Sequence, residues 1–303
     1  HIITSSASSS HHHHHQHSTR EKRTINIFKT KKMMNQDSTA TTTTKTTKKF
    51  KRGVCIGKFY PPHMGHHLLV DTAMSQCENV FILVCKHPDQ EGFIPAKVRV
   101  ECMREAHPQA NVIVVNDDLP GDDSAAWARR TIEVLGGRAP DAVFTSEKYG
   151  DAYAMFLEPG TRHVMVDLAR ELMPSSGTLV RSSPLEHMNL LQPRMRAWFV
   201  KRVVAVGAES TGKTTICEAM AERMKTKWVE EYGREYCERR KVKTWNTIEF
   251  IHIASEQMRR EEEAARQANK VLFCDTDAFL TGIWHRRYMQ NSSPEVEEMA
   301  ERG

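Results

Sequence analysis

Two histidines, His63 and His66, stand three residues apart in the run 57–66. The run follows a short apolar stretch that predicts a strand, and it opens a stretch that predicts a helix. At such a junction the free N–H groups of the helix favour an anion, so both histidines can point toward one bound phosphate. Lys58 adds a positive charge nearby, and Gly57 lets a ligand approach the backbone. The run therefore predicts a phosphate site.

A second phosphate site is predicted where residues 207–214 match the spacing GxxxxGK[ST]. The match lies between an apolar stretch and a helical one, as this motif requires. The backbone N–H groups of such a loop cradle a triphosphate, Lys213 reaches the β- and γ-phosphates, and Thr214 holds Mg²⁺. The candidate ATP contacts here are Gly207, Ala208, Glu209, Ser210, Thr211, Gly212, Lys213, Thr214 and Thr215.

Charged residues end two further apolar stretches. Asp275 and Asp277 follow one of them, and either acid would hold Mg²⁺ directly or through water. Helix capping is the alternative, since acids often begin helices. Glu231 lies where a small kinase would hold or deprotonate its acceptor hydroxyl, and Arg234 could contact phosphate or acceptor. A solvated charged turn is the alternative for that pair.

The elements that must position these residues follow from alternating apolar and helical stretches. The first series predicts strands at 54–59, 79–85, 111–116, 141–147 and 162–167, and helices at 65–76, 96–107 and 124–135. The second predicts strands at 202–207, 227–231 and 271–275, a helix from Lys213 and a long helix at 246–268. These series predict an α/β fold, namely a Rossmann-like doubly wound parallel sheet at 53–198 followed by a P-loop α/β domain at 199–303.

Residues 1–52 are basic, of low complexity and rich in Ser, Thr and His. This composition predicts a disordered tail. Its histidine run is an expression tag, a natural tract or a weak metal binder, and a transit peptide is a further alternative. The net charge of +5 arises here, because eleven lysines and arginines face only two acids. The rest of the chain is mildly acidic, so no nucleic-acid partner is expected.

The composition excludes other classes of protein. Of 303 residues, 39% are hydrophobic and 27% charged, which excludes a collagen-like chain and a disulfide-rich miniprotein. No apolar stretch is long enough for a spanning helix, so no membrane partner is expected. Seven cysteines without CxxC spacing argue against a zinc cluster and favour buried thiols in a reducing, cytoplasmic setting.

The run 57–66 resembles the HxGH signature of the nucleotidyltransferase superfamily. In that superfamily the histidines bind the phosphates of ATP and stabilise the transition state. Residues 175–181 resemble its second signature, ISxTxxR. The resemblance implies that Arg181 reaches the β- and γ-phosphates while Ser176 and Thr178 hydrogen-bond them. The implied catalytic residues are His63, His66, Lys58 and Arg181, and the implied ATP contacts are Gly57, Phe59, Gly65, Ser176 and Thr178.

In this order, the motifs resemble the bifunctional nicotinamide-nucleotide adenylyltransferase/ribosylnicotinamide kinase family of NAD salvage. The runs 231–235 (EYGRE) and 275–277 (DTD) carry much of this resemblance. It implies that the second domain phosphorylates nicotinamide riboside, with Lys213 and Glu231 as catalytic residues. The first domain then joins nicotinamide mononucleotide to AMP from ATP. ATP and Mg²⁺ are the implied cofactors, and the resemblance is compatible with a homo-oligomer.

Some alternatives stay open at this point. Trp127 occupies a place where the family offers an aromatic near the pyridine ring, but a core position is equally expected. The protein could adenylylate another acceptor such as phosphopantetheine, or regulate by binding ATP through an inactive kinase half. The second domain ends soon after its third predicted strand, so we expect it to be C-terminally incomplete, and a fragment is the favoured explanation. No helix-turn-helix pattern precedes residue 53, so DNA binding is not expected.

Overall fold

The structure, a computed structural model, describes residues 48–302 of the chain. The predicted disorder of residues 1–47 and the alternatives for their histidine run lie outside these residues. Within the described range, every helix is too short or too polar to cross a bilayer.

Five parallel strands form the first sheet, in the order β3-β2-β1-β4-β5. The strands are β1 (Phe50–Gly57), β2 (Cys77–Lys86), β3 (Asn111–Asn116), β4 (Ala142–Thr145) and β5 (Arg162–Met165). The helices are α1 (Met64–Gln76), α2 (Pro88–Glu91), α3 (Ala96–Ala106), α4 (Ser124–Val134), α5 (Gly150–Leu157) and α6 (Gly177–Ser182). The order confirms the predicted Rossmann-like sheet.

Helices cover both faces of this sheet because its central strand is apolar on both sides. Successive residues of a strand point to opposite faces, and the neighbours Val54 and Cys55 are both 0% exposed. The cluster around Cys55 includes residues of α1 and α3, whereas that around Val54 includes residues of α4 and α5. From β1 the chain proceeds to β2 on one side and later to β4 on the other. Ligands bind at such a switch point, beyond the carboxyl ends of the strands.

A second parallel sheet has the order β6-β8-β7. Its strands are β6 (Lys201–Val204), β7 (Lys227–Val229) and β8 (Val271–Cys274). The helices of this half are α7 (Pro193–Phe199), α8 (Lys213–Met224), α9 (Tyr232–Arg239), α10 (Thr247–Ala265), α11 (Ala278–Met289) and α12 (Pro294–Arg302). Strands and helices alternate as the sequence predicts for a P-loop α/β domain.

Helix α7 joins the two halves. Its Met195 and Phe199 belong to a cluster of the first half that contains Ile94, whereas Ala197 packs in the core of the second half with Leu272. The predicted domain boundary near residue 198 therefore falls inside a helix that contributes to both cores.

The first strand begins before residue 54, where the sequence predicts its start. β1 starts at Phe50, whose ring is 9% exposed and meets the ring of Phe144 edge-on at 6.4 Å. Asp141 accepts hydrogen bonds from the N–H groups of Lys51 and Arg52, at 2.9 and 2.8 Å. The basic residues on either side of Phe50 concealed the start of the strand, because Asp141, which binds its backbone there, lies about ninety positions away.

Candidate functional site

A cavity of about 1140 Å³ opens at the carboxyl ends of the first sheet. The loops that follow its strands line the cavity, which places it at the predicted switch point. The predicted residues that line it are Gly57, Lys58, Phe59, His63, Gly65, His66, Trp127, Ser176, Thr178 and Arg181. The structure therefore brings together every residue that the sequence assigns to the first site.

The two histidines are stacked at the start of α1, with ring centroids 3.8 Å apart and an angle of 29° between the planes. His63 is the N-cap of α1, and its Nδ1 accepts a hydrogen bond from the N–H of Gly65 at 3.2 Å. The Nδ1 of His66 accepts from the N–H of His63 at 3.3 Å. This reciprocal capping fixes both rings. Phe59 packs edge-on against His66, with centroids 5.0 Å apart.

The same hydrogen bonds determine the tautomers of the histidines. Each Nδ1 accepts from a backbone N–H, so in the neutral ring the proton is on Nε2. Burial, together with the charges of Arg170 and Arg181, lowers the pKa of His63 to about 4. Burial and the neighbouring His63 lower the pKa of His66 well below its usual value. Near neutral pH both rings are therefore uncharged, with the proton of each on Nε2.

Acidification should destabilise the protein through His63. Its pKa is lower in the folded protein than in the unfolded chain, so the unfolded chain binds the proton more tightly. This contribution to stability is complete above the ordinary histidine pKa and is lost as the pH falls toward about 4. Between pH 7 and pH 5 we expect the urea-unfolding free energy of the wild type to fall by about 2 kcal/mol more than that of His63→Asn, which can still cap α1. Equal losses in the two proteins would contradict this assignment.

A serine that sequence reasoning missed supports the histidines. The Oγ of Ser175 lies 3.1 Å from Nδ1 of His63 and accepts from the N–H of Gly65 at 3.1 Å. A Cβ at Gly65 would lie 2.7 Å from that oxygen, so only glycine fits there. The next residue, Ser176, was predicted to contact ATP. Its Oγ accepts from the N–H of Leu179 at 3.1 Å and caps α6, and the residue lines the cavity.

The predicted phosphate arginine has partners within the loops of the site. Nη1 of Arg181 donates to the carbonyl of Tyr60 at 2.5 Å, and Nη2 donates to the Oγ1 of Thr178 at 3.1 Å. Its guanidinium also lies 5.1 Å from the centroid of the Tyr60 ring. These contacts hold Arg181 beside the run that carries the histidines.

Further charged residues at the cavity were not assigned a role from the sequence. Nζ of Lys58 lies 3.4 Å from Oδ2 of Asp117, which follows β3. Nη2 of Arg170 lies 3.3 Å from Oε1 of Glu147, and both residues line the cavity. Asp117 and Arg170 each lie just past the end of a predicted strand, and that position is the signal that could have found them.

Trp127 lies at the boundary between the core and the cavity. It is 8% exposed and belongs to the core cluster of the α4 side, yet it also lines the cavity. Its indole N–H donates to the carbonyl of Pro120 at 3.1 Å, which fixes the ring as part of the cavity wall.

The second predicted phosphate loop has the backbone that its motif requires. Gly207, Ser210 and Gly212 have φ values of 158°, 60° and 85°, and the loop leads directly into α8. Positive φ is the reason glycine recurs here. The amine of Lys213 donates to the carbonyl of Ala208 at 2.8 Å. The lysine thus folds back over the loop in which a triphosphate would lie.

The two acids after β8 have different roles. Asp275 is 0% exposed; its Oδ2 accepts from the hydroxyl of Thr214 at 2.5 Å, and its Oδ1 has no hydrogen-bond partner among residues 48–302. A buried carboxylate oxygen without a partner is unfavourable, and Mg²⁺ prefers oxygen ligands of this kind. Thr214 and Asp275 therefore fit the metal. Asp277, the other predicted ligand, caps α11 by accepting from the N–H of Leu280 at 2.8 Å.

Glu231 and Arg234 lie beside the same residues. Nη2 of Arg234 is 3.1 Å from Oε2 of Glu231 and 3.8 Å from Oδ2 of Asp275. Nη1 donates to the hydroxyl of Thr214 at 3.4 Å. Arg234 therefore links Glu231 to Thr214 and Asp275, and its side chain is 54% exposed.

Comparisons with known proteins match the two halves of the chain to two different families. A family described as cytidylyltransferase-like matches residues 54–183, and one described as an AAA domain matches residues 202–303. The chain is 26% identical over 281 residues to the "Trifunctional NAD biosynthesis/regulator protein NadR" of Escherichia coli (strain K12). It is 25% identical over 281 residues to the protein of that name from Salmonella typhimurium. Each alignment covers 82% of this chain and 65% of the relative.

Two solved structures are similar as well. A crystal structure of NadR protein in complex with NR superposes with a TM-score of 0.65 at 25% identity, covering 84% of this chain and 74% of that one. A structure of NadR protein in complex with NAD and AMP-PNP has a TM-score of 0.61 at 24% identity, covering 84% and 76%, which shows a shared fold. The chain thus joins a cytidylyltransferase-like domain to a P-loop domain and is similar to the NadR proteins over most of its length, while it spans about 65% of the length of the curated relatives.

Proposed function

We propose that the protein makes NAD from nicotinamide mononucleotide and ATP, and that its P-loop half phosphorylates nicotinamide riboside. The stacked pair of His63 and His66 carries the first part, because both neutral rings line a cavity that Lys58 and Arg181 also line. The relatives named above are NAD biosynthesis proteins, and solved NadR structures contain NR, NAD and an ATP analogue.

In the adenylyl transfer, a phosphate oxygen of the mononucleotide attacks the α-phosphorus of ATP. The new P–O bond forms as the bond from the α-phosphorus to the β-phosphate oxygen breaks, and pyrophosphate leaves. Negative charge grows on the non-bridging and leaving oxygens, where the Nε2–H groups of His63 and His66 donate hydrogen bonds. Arg181 and Lys58 hold the pyrophosphate part, and orientation supplies much of the remaining rate.

The size of the cavity fits two nucleotides bound together. At about 1140 Å³ it exceeds the ~300–1000 Å³ that is typical of a site for one small ligand. Trp127 in its wall offers an aromatic face, which suits the cationic pyridinium of the acceptor. We therefore assign the pyridine ring to the Trp127 side and the triphosphate to the histidine side.

In the kinase reaction, the 5′-hydroxyl of the riboside attacks the γ-phosphorus of ATP, and ADP leaves. Glu231 would accept the proton of that hydroxyl, and Arg234 would hold the phosphate or the acceptor. Lys213 would bind the β- and γ-phosphates, while the backbone of residues 207–212 holds the chain of phosphates. Mg²⁺, held by Thr214 and Asp275, would neutralise charge between the two phosphates.

Replacing Asp275 by Asn should remove the effect of Mg²⁺ on nucleotide binding. The amide keeps the volume of the buried side chain but lacks the anionic oxygen that attracts the metal. Titration calorimetry of ATP with Mg²⁺ and with EDTA should show a gain in affinity from Mg²⁺ in the wild type and little gain in Asp275→Asn. Asp277→Asn, which can still cap α11, is the matched control and should keep the gain. An equal loss in both variants would contradict the assignment of the metal to Asp275.

The purified protein with ATP and nicotinamide mononucleotide should form NAD and pyrophosphate. With ATP and nicotinamide riboside it should release ADP. Nicotinic acid mononucleotide and phosphopantetheine, tested alongside, determine the acceptor. Product from phosphopantetheine alone would overturn the proposed substrate. ATP binding without ADP release would indicate that the P-loop half regulates and does not catalyse.

A further inference from the structure

Arg99 on α3 is completely buried, with 0% of its surface exposed. Burial lowers its pKa, because the charged form is separated from water, while Glu91 opposes that shift. Arg99 is not among the residues that line the cavity. The buried charge of Arg99 therefore lies behind the proposed phosphate site and does not bind the ligand directly, so it must act through other residues.

The guanidinium of Arg99 binds three carbonyl groups. Nη1 donates to the carbonyls of Lys58 and Cys85, at 2.5 and 2.8 Å, and Nε donates to that of Ile94 at 3.0 Å. Lys58 follows β1 and Cys85 is near the end of β2. Arg99 therefore joins the carboxyl ends of these two strands directly beneath the loop that carries the histidines.

Tyr60 connects this buried arginine to the phosphate arginine. The guanidinium of Arg99 lies 5.6 Å from the centroid of the Tyr60 ring, and that of Arg181 lies 5.1 Å from it. Arg181 also donates to the carbonyl of Tyr60. A Cβ at Gly177, in the first turn of α6, would lie 2.6 Å from that carbonyl oxygen, so the two loops are in close contact.

We propose that Arg99 is a positioning residue for adenylyl transfer. It holds the segment 58–60, and through Tyr60 it holds Arg181 in place to bind phosphate. This role rests on the proposed function of the first site. The fork of an arginine can donate to several carbonyls at once, whereas a lysine amine at the same place would reach fewer of them. Arg99→Lys should therefore loosen the segment while keeping the charge.

Arg99→Lys should lower kcat for adenylyl transfer about tenfold to a hundredfold, as expected when catalytic groups are misplaced by about 1 Å. Arg104→Lys is the matched control, since Arg104 lies on the same helix and donates to the carbonyl of Val112 at 3.2 Å, in β3. The control should change kcat less than about twofold, in keeping with a surface change away from the site. A wild-type kcat in Arg99→Lys, with the protein folded, would overturn the proposal.

A double-mutant cycle separates positioning from a general loss of structure. If Arg99 acts through Arg181, then Arg181→Lys should cost clearly less in the Arg99→Lys protein than in the wild type. Independent, multiplying losses would overturn the proposal. If Arg99→Lys does not fold, Tyr60→Leu replaces it in the cycle, because it removes the ring between the two arginines. The same non-additive effect is expected, and independent, multiplying losses would again overturn the proposal.

The same cycle is measured on ATP affinity in a Lys213→Ala background, which weakens nucleotide binding at the P-loop. A wild type that makes no product contradicts the proposed function. The affinity cycle then still decides whether Arg99 acts on Arg181, with non-additive effects expected and additive effects overturning the link.

Discussion

His63→Ala and His66→Ala are each expected to lower adenylyl transfer by about 10²–10³, the usual loss when one donor to a developing charge is removed. The structure gives a reason for a loss of this size. Both rings are held by backbone hydrogen bonds, and their stacking leaves little freedom to compensate for a lost partner. Each ring also presents a neutral donor, so its loss is not masked by titration near neutral pH.

The variant His63→Asn distinguishes catalysis from folding. Asparagine is a good N-cap, so it can replace the hydrogen bond to the N–H of Gly65. Its side chain does not extend to the position of Nε2, so the phosphate loses its donor. We expect His63→Asn to unfold at nearly the wild-type urea concentration at pH 7 and yet to be as inactive as His63→Ala.

His187→Ala is the matched control for the histidine variants, because His187 does not line the cavity. Its rate of NAD formation should equal that of the wild type. Near-full activity in both His63→Ala and His66→Ala would contradict the assignment of the site. If the loss of adenylyl transfer among the His63 variants follows their urea-unfolding midpoints, and not the identity of the side chain, then His63 only caps the helix.

Spacing within one continuous segment was enough to predict part of the site, whereas Trp127, Ser176, Thr178 and Arg181, which also line the cavity, were assigned from the family resemblance. His63, His66 and the glycines of 57–66 lie at one strand-to-helix junction, so local spacing determines how they face a ligand. The P-loop is local in the same sense. Its lysine and threonine follow the loop directly, and the predicted strand and helix bound it on the expected sides.

The parts that the sequence did not predict depend on contacts between distant segments. Ser175 reaches His63 across 112 positions, and Arg99 reaches the carbonyl of Lys58 across 41. No local pattern marks a serine or a helical arginine for these roles. Only the order of the strands brings them together, because β1 lies between β2 and β4 in the sheet. For Asp277 the sequence left two roles open, a ligand of Mg²⁺ and a helix cap. The structure shows the cap, because Asp277 accepts the N–H of Leu280 at the start of α11.

The start of the first strand was missed for a related physical reason. A central strand normally appears as a continuous apolar run, and residues 51–52 are basic. These residues are at the amino end of β1, where Lys51 is exposed and Arg52 half-buried although Phe50 already packs in the core. Asp141 binds their N–H groups there, so the strand extends beyond its apolar part.

Lys213→Ala is expected to abolish the kinase reaction, with a fall of at least about 10², and to leave adenylyl transfer unchanged. The P-loop motif places the positive charge of this lysine against the β- and γ-phosphates. Alanine removes that charge, so the negative charge of the phosphates is left without its partner. ADP release with nicotinamide riboside measures the first reaction, and NAD formation from added nicotinamide mononucleotide measures the second. Lys227→Ala, on β7 and outside the loop, is the matched control and should keep both activities.

The separation of the two effects tests whether the protein has two independent phosphate sites. Lys213 lies on the second sheet's loop, and the cavity that holds His63 is lined entirely by residues of the first half. A triphosphate bound at one site therefore gains no direct contact from the other. Equal loss of both reactions in Lys213→Ala, in a protein that still unfolds at the wild-type urea concentration, would show that one nucleotide site serves both reactions. The two strand-to-helix junctions each have their own basic residues. They therefore predict that Lys213→Ala loses the kinase reaction alone.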